Sequence, residues 1–415
     1  MRKKREFNAN PYPYHHEVTL MVESITNLGM GVCRDEGWVV MVPFVLIGEK
    51  VKIRIFKNNK NYSEGDLVEL IEPSKNRIEP KCEHFGNCGG CQYQHVDYST
   101  QLLWKQNQVT ELFSKLGKLE IQVSPTHGSP ELFAYRSKLT PHYQKPIDGA
   151  YKNIGFLKFG RRHEIIDVPF CSIATKSIND KLTSLRIELQ EKAKKTCATG
   201  KKKKGGTLLL RDTGEEVITN PKETGIEKVG DTLFQFKAGE FFQNNPYILP
   251  QLVAYVLDEV HASGNENLID TYCGVGLFAL SSRKLFKQSL GIEISEKSIE
   301  WARKNAALNQ AENCKFILGS AEEIFDHVTF DPNHTSVIID PPRKGCDLCF
   351  LEQLIHFGPS CLVYVSCDPA TQARDSQFLT ENGYELLKVQ PFDLFPQTRH
   401  VESVATFRKS KNAEV

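Results

Sequence analysis

Residues 268–280 read LIDTYCGVGLFAL. Leu268 to Thr271 have the apolar character of a short buried strand. Gly274 and Gly276 then allow a tight turn, and the apolar residues after them open a helix. Glycines at a strand-to-helix turn let a ligand approach the backbone closely. The dinucleotide fingerprint G-x-G-x-x-G is left incomplete, because Ala279 stands at its last position. A glycine pair also occurs in purely structural turns, so the neighbouring segments have to decide.

From about Asn244 the chain alternates strand and helix, the rhythm of a parallel α/β sheet. Apolar strands are expected at Leu268–Thr271, Leu290–Glu293, Lys315–Leu318, Val337–Asp340 and Leu362–Val365. A helix is expected from about Glu296 to Leu308, with Ile299, Ala302 and Ala306 on one face. Two closing strands lie near Tyr384–Val389 and Ser403–Phe407. The second strand ends in Glu293, an acid at a strand tip placed to accept bonds from ribose hydroxyls. The fourth ends in Asp340-Pro341-Pro342-Arg343, a rigid turn at the same edge. These three strand ends point to S-adenosylmethionine rather than NAD. The plain alternative is an α/β domain with unused loops.

The fifth strand runs into Ser366-Cys367-Asp368-Pro369-Ala370-Thr371. A lone cysteine is most often a small buried hydrophobe. One at a strand end is better placed as a nucleophile, and the helix N-terminus that follows is expected to lower its thiol pKa. A methyl donor beside a nucleophilic cysteine suggests one reaction. Pyrimidine C5 is a weak nucleophile until a thiolate adds at C6. A base must then remove the C5 proton. Glu402, just before the last strand, is one candidate among 51 acidic residues.

The rest of the chain is less explicit. Its 415 residues suggest two or three domains. With 40% hydrophobic and 25% charged residues it is a folded globular sequence, not a fibrous or disordered one. Residues 17 to 73 read as short strands punctuated by glycine, the pattern of a small β-barrel. Lys52, Arg54, Lys57 and Lys60, near Phe56 and Tyr62, suggest an RNA-facing edge. A helix is expected from about Tyr98 to Leu116. Strands follow at Ala134–Tyr143, Ile154–Lys158, Glu164–Val168, Leu208–Arg211 and Thr232–Lys237. Arg136, Lys138, Arg161 and Arg162 make a second basic surface. Net charge is only +1, so composition alone announces no nucleic acid; seven lysines between Lys192 and Lys204 form a basic loop. No run approaches 18 apolar residues and no secretory leader is seen, so no membrane span and a cytoplasmic address are expected.

Clustered cysteines in such a protein suggest metal. Cys82, Cys88 and Cys91 lie in a Gly-rich turn, and Cys171 is our choice of fourth ligand. Uneven spacing with one distant ligand suits an iron–sulfur cluster better than a zinc ribbon. Cys346 and Cys349 read as unligated, at the start of a helix.

These motifs together resemble the bacterial RNA uracil-C5 methyltransferases, in the branch with an N-terminal TRAM domain and a [4Fe–4S] cluster. Ser366-Cys367-Asp-Pro369-Ala-Thr371-Gln-Ala-Arg374-Asp375 matches the nucleophile motif, and His400-Val-Glu402-Ser the terminal one. The resemblance implies a multi-domain protein. A TRAM/OB-like β-barrel over 10–75 would bind RNA. A central α+β domain over 76–240 would carry the cluster on Cys82, Cys88, Cys91 and Cys171, and the lysine-rich insert. A Rossmann-like class I methyltransferase domain would occupy 241–415. It also implies cofactor contacts at Gln243, Tyr272, Glu293 and Asp340, with Cys367 as nucleophile and Glu402 as base. The expected product is 5-methyluridine in RNA, made by a monomer. Ribosomal RNA of the large subunit is preferred to transfer RNA, because transfer-RNA members usually lack the barrel and cluster. The rival readings are a non-catalytic RNA-binding or assembly factor on a methyltransferase fold, a transfer-RNA enzyme, and a cytosine-C5 methyltransferase.

Overall fold

The computed structural model describes residues 8–198, 204–319, 324–325 and 328–410. It divides into two compact units. One takes the chain up to Gln108 with Gly155–Val168 and Gln397–Arg399; the other takes Val109–Ile154, Pro169–Pro396 and the chain from His400 on.

In the first unit, β1 (Glu17–Ile25), β2 (Met30–Asp35), β3 (Trp38–Pro43), β4 (Lys50–Asn58) and β5 (Tyr62–Glu72) close a barrel in the order β1-β2-β3-β5-β4. Strand residues alternate between faces, so Val40 and Val42, and Val51, Ile53 and Ile55, point inward and are fully buried. Each such side chain contributes about 1.5–3 kcal/mol. The basic edge changes character in the fold. Lys52 and Arg54 both pair with Glu17, at 2.8 and 2.7 Å, and Lys57 pairs with Glu64 at 2.6 Å. Carboxylates from β1 and β5 thus neutralise most of the stripe expected to meet phosphates. After the barrel comes the cysteine loop. Then α1 (Tyr98–Lys115) begins, capped by the Asp97 side chain, which accepts the Thr100 N–H at 2.9 Å.

The expected strand Ala134–Tyr143 is broken. Only β6 (Lys138–Leu139) and β7 (His142–Tyr143) form. Pro141 between them has no N–H for a ladder, and Ala134 sits in the left-handed region at φ 52°. Lys138 spends its ammonium on the carbonyls of Gly239 and Glu240, at 3.2 and 2.8 Å, which removes it from any open basic surface. A hairpin of β8 (Ile154–Lys158) and β9 (Arg161–Asp167) precedes α2 (Lys176–Ala198). The lysine-rich stretch continues from α2 into residues 199–203, which lie outside the described residues. Four short strands follow: β10 (Gly206–Thr207), β11 (Leu210–Asp212), β12 (Val217–Ile218) and β13 (Thr224–Val229). The last pairs with β14 (Thr232–Lys237).

The larger sheet comprises β15 (Asn267–Thr271), β16 (Gln288–Glu293), β17 (Cys314–Leu318), β18 (Thr335–Ile339), β19 (Cys361–Ser366), β20 (Tyr384–Phe392) and β21 (Glu402–Lys409). Their order is β17-β16-β15-β18-β19-β21-β20; the first five are parallel and β21 is antiparallel to both neighbours. Alternate residues feed two cores. Leu268, Ile338, Val363 and Val404 pack with α3 (Leu249–His261), α4 (Leu277–Ser281) and α5 (Glu296–Leu308). Ile269, Val337, Leu362 and Ala405 pack with α6 (Leu348–Phe357), α7 (Pro369–Glu381) and residues Val109 and Phe113. A sheet covered on both faces explains the unbroken apolar runs. Strand order reverses between β15 and β18. A crevice outside the carboxyl ends of such a pair is the usual ligand site. Among the described residues, no helix is long and apolar enough to cross a membrane.

Candidate active site

The turn after β15 is built for close approach. Gly276 caps α4 at φ 93°; a Cβ there would stand 2.9 Å from Leu280 and 3.0 Å from Phe316. Tyr272 also adopts a positive φ, 61°, uncommon for a bulky residue, and its ring packs on Phe350 with centroids 5.2 Å apart. Beneath the turn lies Asp270, fully buried. One carboxylate oxygen accepts the Ala279 N–H at 2.9 Å, and the other has no hydrogen-bond partner. Burial, with the charges of Asp340 and Glu293 behind it, pushes Asp270 up to about 8.

Glu293 closes β16. Its two oxygens accept the N–H groups of Gly274, at 3.2 Å, and Ser295, at 2.9 Å. Each oxygen keeps a further lone pair for a ligand hydroxyl. Asp340 directly follows β18, and burial pushes it up to about 7. Tyr272, Glu293 and Asp340 therefore stand at the ends of three neighbouring strands. Gln243 comes from outside the sheet, on the segment before α3, where its carbonyl lies 3.4 Å from the buried Arg211 guanidinium. A left-handed glycine turn, a hydroxyl-accepting acid and an orphaned buried oxygen fit a nucleoside-bearing cofactor such as S-adenosylmethionine.

Cys367 follows the last residue of β19, and Glu402 is the first residue of β21. Ser366 pairs with Ser403 across these antiparallel strands. Continuing that register by one residue sets Cys367 opposite Glu402. Gln372 of α7 ties the two strands together: its buried amide donates to the carbonyls of Tyr364, at 2.8 Å, and Ser403, at 3.0 Å. Glu402 is 4% exposed. Burial, then the Asp340 charge, holds it well above the ordinary carboxylate range, while Arg343 opposes them.

The thiol does not behave as its place before a helix suggests. Burial first, then the charges of Glu402 and Asp340, push Cys367 up to about 12; only Arg343 pulls it down. The helix start offers little help, because Asp368 places its own carboxylate there, accepting the Ala370 N–H at 3.1 Å. Arg343 is thus the cation of the site. The sequence displayed it in Asp340-Pro-Pro-Arg343, but nothing along the chain linked it to Cys367. The burial of Asp270 was likewise not legible.

Cys82, Cys88 and Cys91 are partly exposed thiols on one loop of the first unit, and Cys171 belongs to the second. The loop is ordered by backbone bonds: the Cys88 N–H reaches the His84 carbonyl at 2.8 Å and Gly89 reaches that of Leu157 at 3.0 Å. The Gly90 N–H points at the Cys88 sulfur, 3.4 Å away. Hydrogen bonds to sulfur of this kind are among the contacts that tune cysteine ligands of iron–sulfur clusters. Among the described residues, no three His, Cys, Asp or Glu side chains are already arranged around a metal position.

Comparison with known proteins adds the following. A family model described as tRNA (Uracil-5-)-methyltransferase matches residues 226–410, and a TRAM domain model matches residues 16–68. The tRNA (uracil(54)-C(5))-methyltransferase of Schizosaccharomyces pombe is 39% identical, covering 96% of this chain and 79% of its own. A Halalkalibacterium halodurans protein described as an uncharacterized RNA methyltransferase is 33% identical over 94% of this chain and 96% of its own. The crystal structure of the Pyrococcus abyssi tRNA (uracil-54, C5)-methyltransferase in complex with S-adenosyl-L-homocysteine aligns with a TM-score of 0.74 and 23% identity. It covers 94% of this chain and 100% of that one, and shows the same fold.

Proposed function

This chain belongs to the S-adenosylmethionine-dependent RNA uracil-C5 methyltransferases, joined to a TRAM domain, and on that premise we propose that Cys367 and Glu402 convert a uridine in RNA to 5-methyluridine. The observation that supports the assignment of these two residues is that each adjoins one member of the Ser366–Ser403 pair, and that the Glu402 and Asp340 charges both act on the Cys367 thiol.

The target uridine leaves its stack to enter the site. The Cys367 thiolate forms a bond to C6, and the electron pair of the C5–C6 double bond moves to C5 and the O4 carbonyl. Arg343 works against the burial and the negative charges that keep the thiol protonated. When bound, S-adenosylmethionine supplies an electrophilic methyl group on a positively charged sulfur, which C5 accepts. Glu402 then removes the C5 proton, the double bond re-forms, and the sulfur–C6 bond breaks to return the thiolate. Gln243, Tyr272, Glu293 and Asp340 are the residues proposed to hold the cofactor.

The choice of RNA follows the relatives. The Schizosaccharomyces pombe enzyme, named for uracil 54 of transfer RNA, aligns over 96% of this chain, a span that has to include the barrel. An aligned span of that extent weakens the barrel half of the ground for preferring ribosomal RNA. We put transfer RNA first and large-subunit ribosomal RNA second. Incubating the protein and S-adenosylmethionine with each RNA, then identifying the modified nucleoside by mass spectrometry, tests this. 5-Methyluridine in the transfer RNA supports the proposal; 5-methylcytidine, or no product in either RNA, contradicts it.

The cluster reading rests on the spacing of Cys82, Cys88 and Cys91, with Cys171 as the fourth ligand that the resemblance implies. Four cysteine ligands leave such a cluster no open coordination position, so its part is structural or in RNA binding. Anaerobically purified protein should be brown with about four irons per chain, and Cys171→Ala should lose both. Colourless protein with one zinc would contradict it.

A further inference from the structure

Between β18 and α6 runs the loop Arg343-Lys344-Gly345-Cys346. Its backbone rests on two side chains of α7. Asp375 is 1% exposed. One of its carboxylate oxygens accepts the Cys346 N–H at 2.9 Å and the Tyr364 hydroxyl at 2.8 Å. The other accepts Nε of Arg374 at 2.8 Å. Arg374 in turn donates through Nη2 to the carbonyls of Cys346, at 3.1 Å, and Lys344, at 3.3 Å. No side chain fits between loop and clamp. Gly345 has φ 75°, and an added Cβ would lie 2.7 Å from both Arg374 Nη2 and Asp375 Oδ2, and 2.9 Å from Cβ of Thr371.

The helix that supplies this clamp is the one that Cys367, Asp368 and Pro369 lead into. α7 thus begins two residues after Cys367, and its first two turns hold this loop: the Thr371 hydroxyl donates to the Arg343 carbonyl at 3.4 Å, and Arg374 and Asp375 grip Lys344 and Cys346. We propose that Arg374 and Asp375 are positioning residues that hold Arg343 against Cys367, so that the thiol can ionise when the uridine arrives. This rests on the reading of Cys367 as nucleophile. It goes beyond that reading, because neither residue touches the reacting atoms.

The groups acting on the thiol are Glu402 and Asp340, which disfavour its ionisation, and Arg343, which favours it. Around the clamp the titratable neighbours include Tyr364, Cys346 and Arg374, with Tyr272 from the turn after β15 and Asp347 at the start of α6 facing Cys346. If the clamp slackens, Arg343 withdraws while the two acids stay. The loss appears as a lower thiolate fraction at a given pH.

The test is the rate at which iodoacetamide alkylates Cys367 in the full chain, followed on the Cys367 peptide by mass spectrometry across pH, with a melting curve for each variant. Arg374→Met should slow the alkylation about ten-fold at fixed pH, one pKa unit of lost thiolate. Arg343→Gln should slow it at least as much, and the double variant should be no slower than Arg343→Gln alone. Tyr364→Phe, which removes one bond to Asp375 but leaves Arg374 in place, should lower the melting temperature and spare the alkylation rate. Asp375→Asn should match Arg374→Met; if it does not fold, Arg374→Met decides. Wild-type alkylation in Arg374→Met, or slowing that adds in full to that of Arg343→Gln, would overturn the proposal. Neither result depends on methyl transfer, so failure here stays distinct from failure of Cys367 as nucleophile, which Cys367→Ala reports directly.

Discussion

Ser366 pairs with Ser403 across β19 and β21; Cys367 directly follows the first and Glu402 directly precedes the second, close enough for the Glu402 charge to act on the thiol. The proposed nucleophile and the proposed base thus come close together from the ends of two different strands. Burial raises both, and the Glu402 charge adds to the rise of the thiol. The resting site is therefore proton-loaded, and its chemistry depends on what relieves that load.

Replacing Glu402 separates the two halves of the reaction. In Glu402→Gln, addition and methylation can proceed but the C5 proton has no acceptor. Turnover should fall by about 10²–10⁴-fold, while a covalent protein–RNA species builds up with ordinary uridine RNA. Denaturing gels with labelled RNA show it as a shifted band. A variant that turns over slowly with no such band would assign the proton to another group.

The pH dependence has a definite sign. Cys367 must lose its proton, and Glu402 must have lost its own before it can act. Both hold their protons to higher pH than usual. Single-turnover rates should therefore climb between about pH 6 and 9, without the acidic plateau of an unperturbed glutamate. Arg343→Gln should move the whole climb to higher pH. A flat profile would contradict this.

With Asp340 holding the cofactor as proposed, binding should be proton-linked. Its folded value near 7 means it is partly protonated at neutral pH. A cationic ligand favours the carboxylate, so S-adenosylmethionine should bind about three- to ten-fold more tightly at pH 8 than at pH 6, with proton release. S-Adenosylhomocysteine, which lacks the sulfonium charge, should show a smaller change. Asp340→Asn should reduce the pH dependence, and what remains should come from the buried Asp270. Calorimetry in buffers of different ionisation enthalpy measures both.

Gly276→Ala tests the cradle. The new Cβ would stand 2.9 Å from Leu280 and 3.0 Å from Phe316, well inside van der Waals contact, in a left-handed backbone. The cost should be about 1–3 kcal/mol of stability, with weaker cofactor binding. Urea unfolding and calorimetry check the two effects separately.

How much of this was legible depended on whether a feature is local in sequence. The helix Glu296–Leu308 was readable because its apolar spacing is local, and the sheet strands because they are buried on both faces. The strand at Ala134–Tyr143 failed at Pro141, where propensity loses to a missing N–H. The barrel edge looked cationic because Glu17 reaches Arg54 only after the strands pair. The thiol misled for the same reason: Glu402, Asp340 and Arg343 each arrive from a different place in the chain. Chemistry-bearing residue types showed in the sequence, but the sign of their electrostatics did not.

The central claim is the transient sulfur–carbon bond. RNA carrying 5-fluorouridine at the target position has no C5 proton to surrender, so with S-adenosylmethionine the adduct should persist and survive denaturation. Peptide mapping should place it on Cys367, and Cys367→Ala should give none. Active enzyme that yields no linked species, or a link on any other side chain, would contradict the mechanism.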